Sequence, residues 1–134
     1  MLILAILIAS VAWFIAAAIL FFNPITDKVY RSEEKHAAVR ALPQSPKTIG
    51  MILVAIIIQS ALWAFVYTLI APALPGDKMG KWLLFGFILV LTKIIPRDTD
   101  RLLLTTYPKK RMTIEFVIGI ICSFVVGIVF GYLL

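Results

Sequence analysis

Ionisable side chains crowd into one short segment in the second half of the chain, between stretches that are otherwise apolar. The segment and the helix predicted after it carry Lys93, Arg97, Asp98, Asp100, Arg101 and Glu115. In one continuous helix turning about 100° per residue, an arc of about 100° would hold Lys93, Arg97, Asp100 and Arg101. That helix would carry an ion-pair cluster inside the membrane, where charges are costly and usually mark function.

An alternative interpretation ends this helix at Pro96 and leaves the charges among the lipid headgroups. Proline removes a backbone donor and restricts the residue before it, so a helix end at that point is physically reasonable. The cost of charge in hydrocarbon favours this alternative. We therefore expect the third helix to end near Ile95 and residues 96–112 to form a basic loop.

A second group of polar residues lies in the second predicted helix. Gln59, Trp63 and Tyr67 recur at every fourth position and form one stripe, with Ser60 beside it. Gln59 falls near the middle of the membrane, where an amide needs partners, and either bonds to neighbouring helices or forms the wall of a small polar pocket. The first reading is favoured, and the partners at similar depth are Ser10, Cys122 and Ser123.

Small residues recur at every fourth position of the last predicted helix. They are Gly119, Ser123, Gly127 and Gly131. Such a ridge lets a neighbouring helix backbone approach closely, so a packing role is favoured over ligand binding. The neighbour is either a helix of the same bundle or the matching helix of a second copy.

The ionisable residues form no recognisable catalytic or metal-binding motif. Glu115, in the first turn of the last helix, is expected to pair with local cations, and a proton relay is the alternative. Carboxylates gathered at the inner interface could hold Mg²⁺, namely Asp27, Asp98, Asp100 and Glu115. No Gly-rich phosphate loop or nucleophile–base set accompanies them, so we assign no catalytic residue and no cofactor. The single histidine, His36, and the single cysteine, Cys122, leave neither type a partner within the chain.

The composition places the chain in the membrane. Its 134 residues are 62% hydrophobic and 15% charged, with a mean hydropathy of +1.03, whereas soluble domains are about 45–50% apolar and about 25% charged. A spanning helix needs about 20 apolar residues. The predicted spans cover residues 2–22, 49–70, 77–95 and 113–134 of a single domain, the third relying on lysines that extend to the interface.

Lysine and arginine positions predict the orientation. The loops at residues 23–48 and 96–112 are basic, while the middle loop carries only Lys78 and Lys81. Basic loops stay in the cytoplasm, so both termini are expected outside an inner cell membrane. The net charge of +6 then indicates contact with anionic lipid headgroups rather than nucleic acid. A short surface helix is expected at residues 32–41, with Ser32 as its N-cap.

The two halves of the chain share a short pattern. Pro24 is followed by Thr-Asp-Lys and an aliphatic residue, and Pro96 by a similar run ending at Leu102. Pro46 and Pro108, each followed by lysine, precede the second and fourth predicted helices. The pattern predicts two similar hairpins, related as parallel repeats by an axis along the membrane normal.

Two motifs resemble those of a widespread group of small bacterial four-helix membrane proteins of unknown function. One is Phe21-Phe22-Asn23-Pro24 at the end of the first helix, and the other is Thr105-Thr106-Tyr107 before the basic run at residues 109–111. The resemblance implies a four-helix architecture and no particular activity. The chain departs from that group in the charges at residues 93–101, where such proteins have an apolar third helix.

The sequence therefore predicts an all-α, four-helix polytopic membrane protein. The favoured function is a non-enzymatic accessory, scaffold or lipid-contacting module, acting with further copies of itself or with another membrane protein. The alternative is a small oligomeric transporter or channel lined by polar residues of the second and third helices. Any solute path is expected between copies, because four helices enclose little more than their own side chains. A lipid-modifying enzyme is the lesser alternative.

Overall fold

The computed structural model describes residues 1–39 and 45–134, and within them it is helical and has no strand. The elements are α1 (Leu2–Phe21), α2 (Pro24–Ser32), α3 (Pro46–Ile70) with a 3-10 turn (Ala71–Ala73), α4 (Lys78–Leu89), a π segment (Val90–Ile94), α5 (Ile95–Leu104) and α6 (Lys109–Leu133).

Among the described residues, four helical stretches are long and apolar enough to span a membrane. They are Leu2–Phe21, Pro46–Ala73, Lys78–Leu104 and Lys109–Leu133. Large apolar side chains such as Ile19, Leu62 and Leu69 point away from the bundle and are exposed. Such a surface is typical of helices bathed in lipid, and the prediction of an all-α membrane protein with four spans is confirmed.

The third span does not end at Ile95, as the sequence suggested. Proline has no backbone N–H and its ring crowds the carbonyl four residues earlier, which ends or distorts an α-helix. Here the chain widens into the π segment, in which the Ile95 N–H bonds to the Val90 carbonyl, and α5 carries Pro96 in its first turn. The expected loop at residues 96–112 is therefore helical as far as Leu104 and again from Lys109.

The first connection also differs from the prediction. The short helix α2 comes before Ser32 and not after it, because Asn23 accepts a hydrogen bond from the Thr26 N–H at 2.9 Å and Pro24 occupies the first turn. An Asn cap followed by proline is a strong start signal for a helix. Ser32 is the last residue of α2, and residues 33–39 form turns. The remainder of the expected surface helix, residues 40–41, lies outside the described residues.

The helix α6 lies at the centre of the bundle, where it packs against α4 and α1, while α3 packs mainly against α1. Small buried residues such as Ala5, Ala9 and Ala64 let α1 and α3 approach closely. The Tyr67 ring meets the edge of Phe85, with 4.9 Å between ring centroids. Tyr67, predicted as part of a polar stripe, therefore belongs to the aromatic core of the bundle.

The ridge of small residues on α6 faces the third span of the same chain. A Cβ atom added to Gly127 would lie 2.7 Å from the Trp82 carbonyl oxygen, and one added to Gly131 would lie 2.5 Å from the Trp82 Cβ. A Cβ at Gly119 would lie 2.8 Å from the Ile94 side chain. The sequence left two possible neighbours open for this ridge. In the structure, a helix of the same bundle packs against it.

The shared pattern of the two halves has a partial structural counterpart. Both α2 and α5 are short helices with proline in their first turn. The two halves differ at the preceding junction, since α1 ends at Phe21, whereas the third span runs on through the π segment. The internal repeat stays a prediction.

The close approach of α4 and α6 predicts that a methyl group at position 127 is not tolerated. We expect Gly127→Ala to lower the free energy of unfolding by about 1–3 kcal/mol, as overpacking usually does. The matched control is Gly50→Ala, where nothing lies within 4 Å of the added Cβ, and where alanine favours the helix by up to about 1 kcal/mol. Unfolding in mixed detergent micelles measures the free energy of unfolding of both variants. Equal effects of the two substitutions would contradict the packing described here.

Candidate functional site

A cavity of about 260 Å³ lies between the helices, in contact with α1, α3, the third span and α6. Its polar lining includes many of the residues singled out from the sequence, namely Gln59, Lys93, Arg97, Arg101, Glu115, Cys122 and Ser123. Aromatic walls come from Trp13, Phe21 and Trp63. A single chain thus lines this cavity, whereas the sequence led us to expect any solute path between copies.

The Glu115 carboxylate lies at the centre of a group of polar contacts at one end of the cavity. One of its oxygens forms an ion pair with the Arg101 guanidinium. The other oxygen accepts hydrogen bonds from the hydroxyl groups of Tyr30 and Tyr107. Arg97 also donates a hydrogen bond to the Glu115 backbone carbonyl at 3.3 Å. Side chains from α2, from the third span and from the connection before α6 thus converge on one carboxylate.

Asp98 provides the second carboxylate of this group, and its residue is only 8% exposed. Arg97 binds it through two nitrogens, at 2.9 Å and 3.2 Å, and an Arg101 nitrogen lies 3.9 Å away. We call Arg97, Asp98, Arg101 and Glu115 the charged cluster.

Asp100, which the sequence grouped with Lys93 and the two arginines, is exposed and lies outside the charged cluster. The π segment explains the difference. One extra residue in a helical turn rotates everything after it backwards by about 100°. This rotation keeps Arg97 and Arg101 on the inner face, brings Asp98 onto it and removes Asp100 from it.

Lys93 lies in the π segment, nearer the middle of the third span than the charged cluster. Its ammonium nitrogen is 3.7 Å from the centroid of the Trp13 ring, a cation–π contact. Within the described parts of the chain, no carboxylate forms a salt bridge with it. Together with the charged cluster, Lys93 gives this region three cations and two carboxylates, and hence one uncompensated positive charge.

The two tyrosines that contact Glu115 are neutral donors. Burial and the hydrogen bond to Glu115 raise the pKa of Tyr107 to about 12, and the same two causes raise the pKa of Tyr30 further. The Arg111 guanidinium carbon lies 4.0 Å from the centroid of the Tyr30 ring. The sequence did not single out either tyrosine as a site residue. The available signal was that each follows a spanning helix at the same end of the bundle.

Other predicted arrangements do not form. The hydroxyl groups of Ser10 and Ser123 donate to carbonyls of their own helices, so neither donor is directed at Gln59 as expected. Asp27 pairs with Arg31 at 3.0 Å on the surface. In residues 1–39 and 45–134, no three His, Cys, Asp or Glu side chains come together, so the carboxylates considered for Mg²⁺ do not share one site.

The fold and the cavity define a class: a polytopic α-helical membrane protein with an aromatic-walled, positively charged cavity between its helices. The chain matches no family model, no curated protein and no solved structure with which it was compared. The resemblance to small bacterial four-helix proteins stays a prediction.

The ion pair between Arg101 and Glu115 is partly buried, so removing one partner should lower the unfolding free energy of the protein. Arg101 is 32% exposed and Glu115 16% exposed at their side chains, so Arg101→Met leaves a carboxylate without its cation. We expect a loss of about 2 kcal/mol in unfolding free energy, less than for a fully buried pair. Adding Glu115→Met should recover part of that loss.

The control for this prediction is Arg31→Met, which breaks the surface pair with Asp27. Those side chains are 72% and 46% exposed, and exposed pairs one helical turn apart contribute about 0.3–0.5 kcal/mol. Equal destabilisation by Arg31→Met and Arg101→Met would show that the charged cluster behaves as a solvated surface.

Proposed function

We propose that this protein is a lipid-contacting membrane module whose cavity binds an anionic headgroup. The observation that carries the proposal is the Lys93 ammonium, which faces the cavity from a spanning helix and has no carboxylate partner among the described residues. A charge in that position is costly, and such residues usually mark a ligand or ion pathway. An anion in the cavity would supply the missing countercharge.

The arginines support an anion of phosphate type. Arg97 and Arg101 both line the cavity, and guanidinium groups bind phosphate oxygens through paired hydrogen bonds. Asp98 holds Arg97 and Glu115 holds Arg101, so these side chains lose little conformational freedom on binding. Lys93 would then act as a point charge deeper in the cavity.

The size and walls of the cavity favour a headgroup with the first part of an apolar chain. Its volume of about 260 Å³ lies just below the range that is common for ligand sites, about 300–1,000 Å³. Trp13, Trp63 and Phe21 provide apolar surface next to the cations. A ligand that is anionic at one end and apolar at the other matches both parts of the lining.

The basic residues of the chain support a cytoplasmic position for this end of the bundle. Lys28, Lys109 and Lys110 lie at the same end as the charged cluster, and only Lys78 and Lys81 belong to the opposite connection. Retention of basic loops in the cytoplasm then orients both termini outwards. The negative surface of that leaflet would supply anionic lipids to the cavity.

A second candidate function is transport of a small anion. The cavity extends from Gln59 to Arg101, and its lining includes the π segment at Lys93. Such π turns are frequent at functional sites and are points at which a helix can change its hydrogen bonding. This candidate shares the anion site and adds movement of the ligand past Gln59.

Lipid binding is tested with Lys93→Gln. In native mass spectrometry of the detergent-solubilised protein, we expect the wild type to retain phosphatidylglycerol in preference to phosphatidylcholine. The substitution should weaken retention of phosphatidylglycerol about tenfold, a difference of about 1.4 kcal/mol.

The matched control is Lys110→Gln, which removes the same charge from an exposed position at the same end of the bundle. It should leave retention almost unchanged, because Lys110 does not line the cavity. Equal losses in both variants would mean that the basic surface, and not the cavity, holds the lipid.

Transport is tested separately with Gln59→Leu in proteoliposomes loaded with inorganic phosphate. If the anion passes Gln59, this substitution should abolish phosphate efflux while phosphatidylglycerol retention and the unfolding midpoint are kept. Efflux from wild-type vesicles no faster than from protein-free vesicles would exclude phosphate transport and leave the binding proposal intact.

A further inference from the structure

We infer that Glu115 is the internal counter-anion of the cavity, and that a ligand's anionic group takes its place on Arg101 as the carboxylate takes up a proton. The inference rests on the proposed anion site and specifies how that site is regulated. Ligand binding would then be coupled to protonation of a single carboxylate.

The geometry places Glu115 where a ligand anion would bind. Its carboxylate lines the cavity and forms an ion pair with the Arg101 guanidinium, which lines the same cavity. Glu115 therefore competes with any anion that enters. Displacement of an ionised carboxylate would leave a second negative charge beside the ligand, whereas displacement of a protonated one would not.

The hydrogen bonds of Glu115 let it release Arg101 without leaving its place. The Arg101 contact is made by Oε2, whereas the hydroxyl groups of Tyr30 and Tyr107 donate to Oε1. A proton added to Oε2 would end the ion pair, and Oε1 would still accept both tyrosine hydrogen bonds as a carbonyl oxygen. The proton thus goes to one named oxygen, and the freed guanidinium becomes available to the ligand.

Charged and titratable groups face Glu115 from every side of this end of the cavity. They are Tyr30 from α2, Arg97 and Arg101 from α5, and Tyr107 from the connection, while Arg111 of its own helix lies over the Tyr30 ring. The tyrosines are protonated and the arginines charged throughout the acidic and neutral range. Among these groups, the Glu115 carboxylate is therefore the one that can accept a proton.

Asp98 offers a matched control because it is the other carboxylate of the charged cluster. It is held by two nitrogens of Arg97 and does not line the cavity. Asp98→Asn changes the net charge of the cluster as Glu115→Gln does, but leaves the competing carboxylate in place. The two variants thus separate competition at Arg101 from general electrostatic attraction.

The experiment measures binding of short-chain phosphatidylglycerol to the full-length protein in neutral detergent, followed by the fluorescence of Trp13 and Trp63 in the cavity wall. Its phosphodiester stays ionised between about pH 4.5 and 7.5, so a change in affinity over that range does not come from titration of the probe. Dimethyl phosphate, which has the same anionic group without chains, is the second probe. Binding of both probes indicates a soluble anion, and binding of phosphatidylglycerol alone indicates a lipid.

We expect wild-type affinity to rise about tenfold per pH unit on acidification, the slope for uptake of one proton. Glu115→Gln should bind tightly at every pH, and Asp98→Asn should keep the wild-type slope. An unchanged slope in Glu115→Gln would overturn the inference. If Lys93→Gln binds phosphatidylglycerol as tightly as the wild type, the proposed function is overturned instead.

A calorimetric measurement on the wild type covers the case in which Glu115→Gln does not fold. Titrations at pH 7 in two buffers of different ionisation enthalpy report the protons taken up on binding. Uptake of about one proton supports the coupling. Binding without proton uptake overturns it.

Discussion

A proline within a spanning helix determines the geometry of the whole charged site. Lipid offers no hydrogen-bonding partners, so a spanning backbone must satisfy its own groups even where proline removes a donor. The chain meets this requirement before Pro96 with the π segment, in which the Ile95 N–H reaches back to Val90. The extra residue turns the following part of the helix, and this rotation brings Asp98 between the two arginines.

Charge pairing then explains why the helix can keep these residues near lipid. Asp98 and Glu115 each accept from an arginine, and Glu115 accepts from two tyrosines as well. Paired and hydrogen-bonded charges avoid most of the penalty that isolated ones incur. Lys93 differs, since its contact is the face of Trp13, a cation–π interaction that contributes about 2 kcal/mol when desolvated and supplies no negative charge. The cavity beside it is therefore the place where a further anion is electrostatically favoured.

The sequence predicted the features that depend on composition and missed those that depend on a change of helical period. Long uncharged runs predicted the first, second and fourth spans, because the thickness of hydrocarbon fixes their length, and the third also relied on the lysines at its ends. The prediction failed at Pro96. It took account of the cost of placing charges in hydrocarbon, but not of the ion pairs and hydrogen bonds that α6 and the connections supply. It therefore ended the third span too early. The alternative of a continuous helix put Asp100 and not Asp98 in the charged arc, because it assumed an unbroken α-helical period. Tyr30 and Tyr107 were missed because contacts across the chain leave no periodic signal.

The packing ridge and the charged site turn out to be one arrangement. Close approach of α6 to the third span follows from glycines at positions 127 and 131, which meet the backbone around Trp82. Farther along the same ridge, Gly119 faces Ile94 and lies near the Arg97 guanidinium. A larger residue there would push α6 away, and Arg97 could no longer reach the Glu115 carbonyl at 3.3 Å. Small residues on α6 thus bring the carboxylate of one span within reach of the cations of another, so a packing motif positions the candidate site.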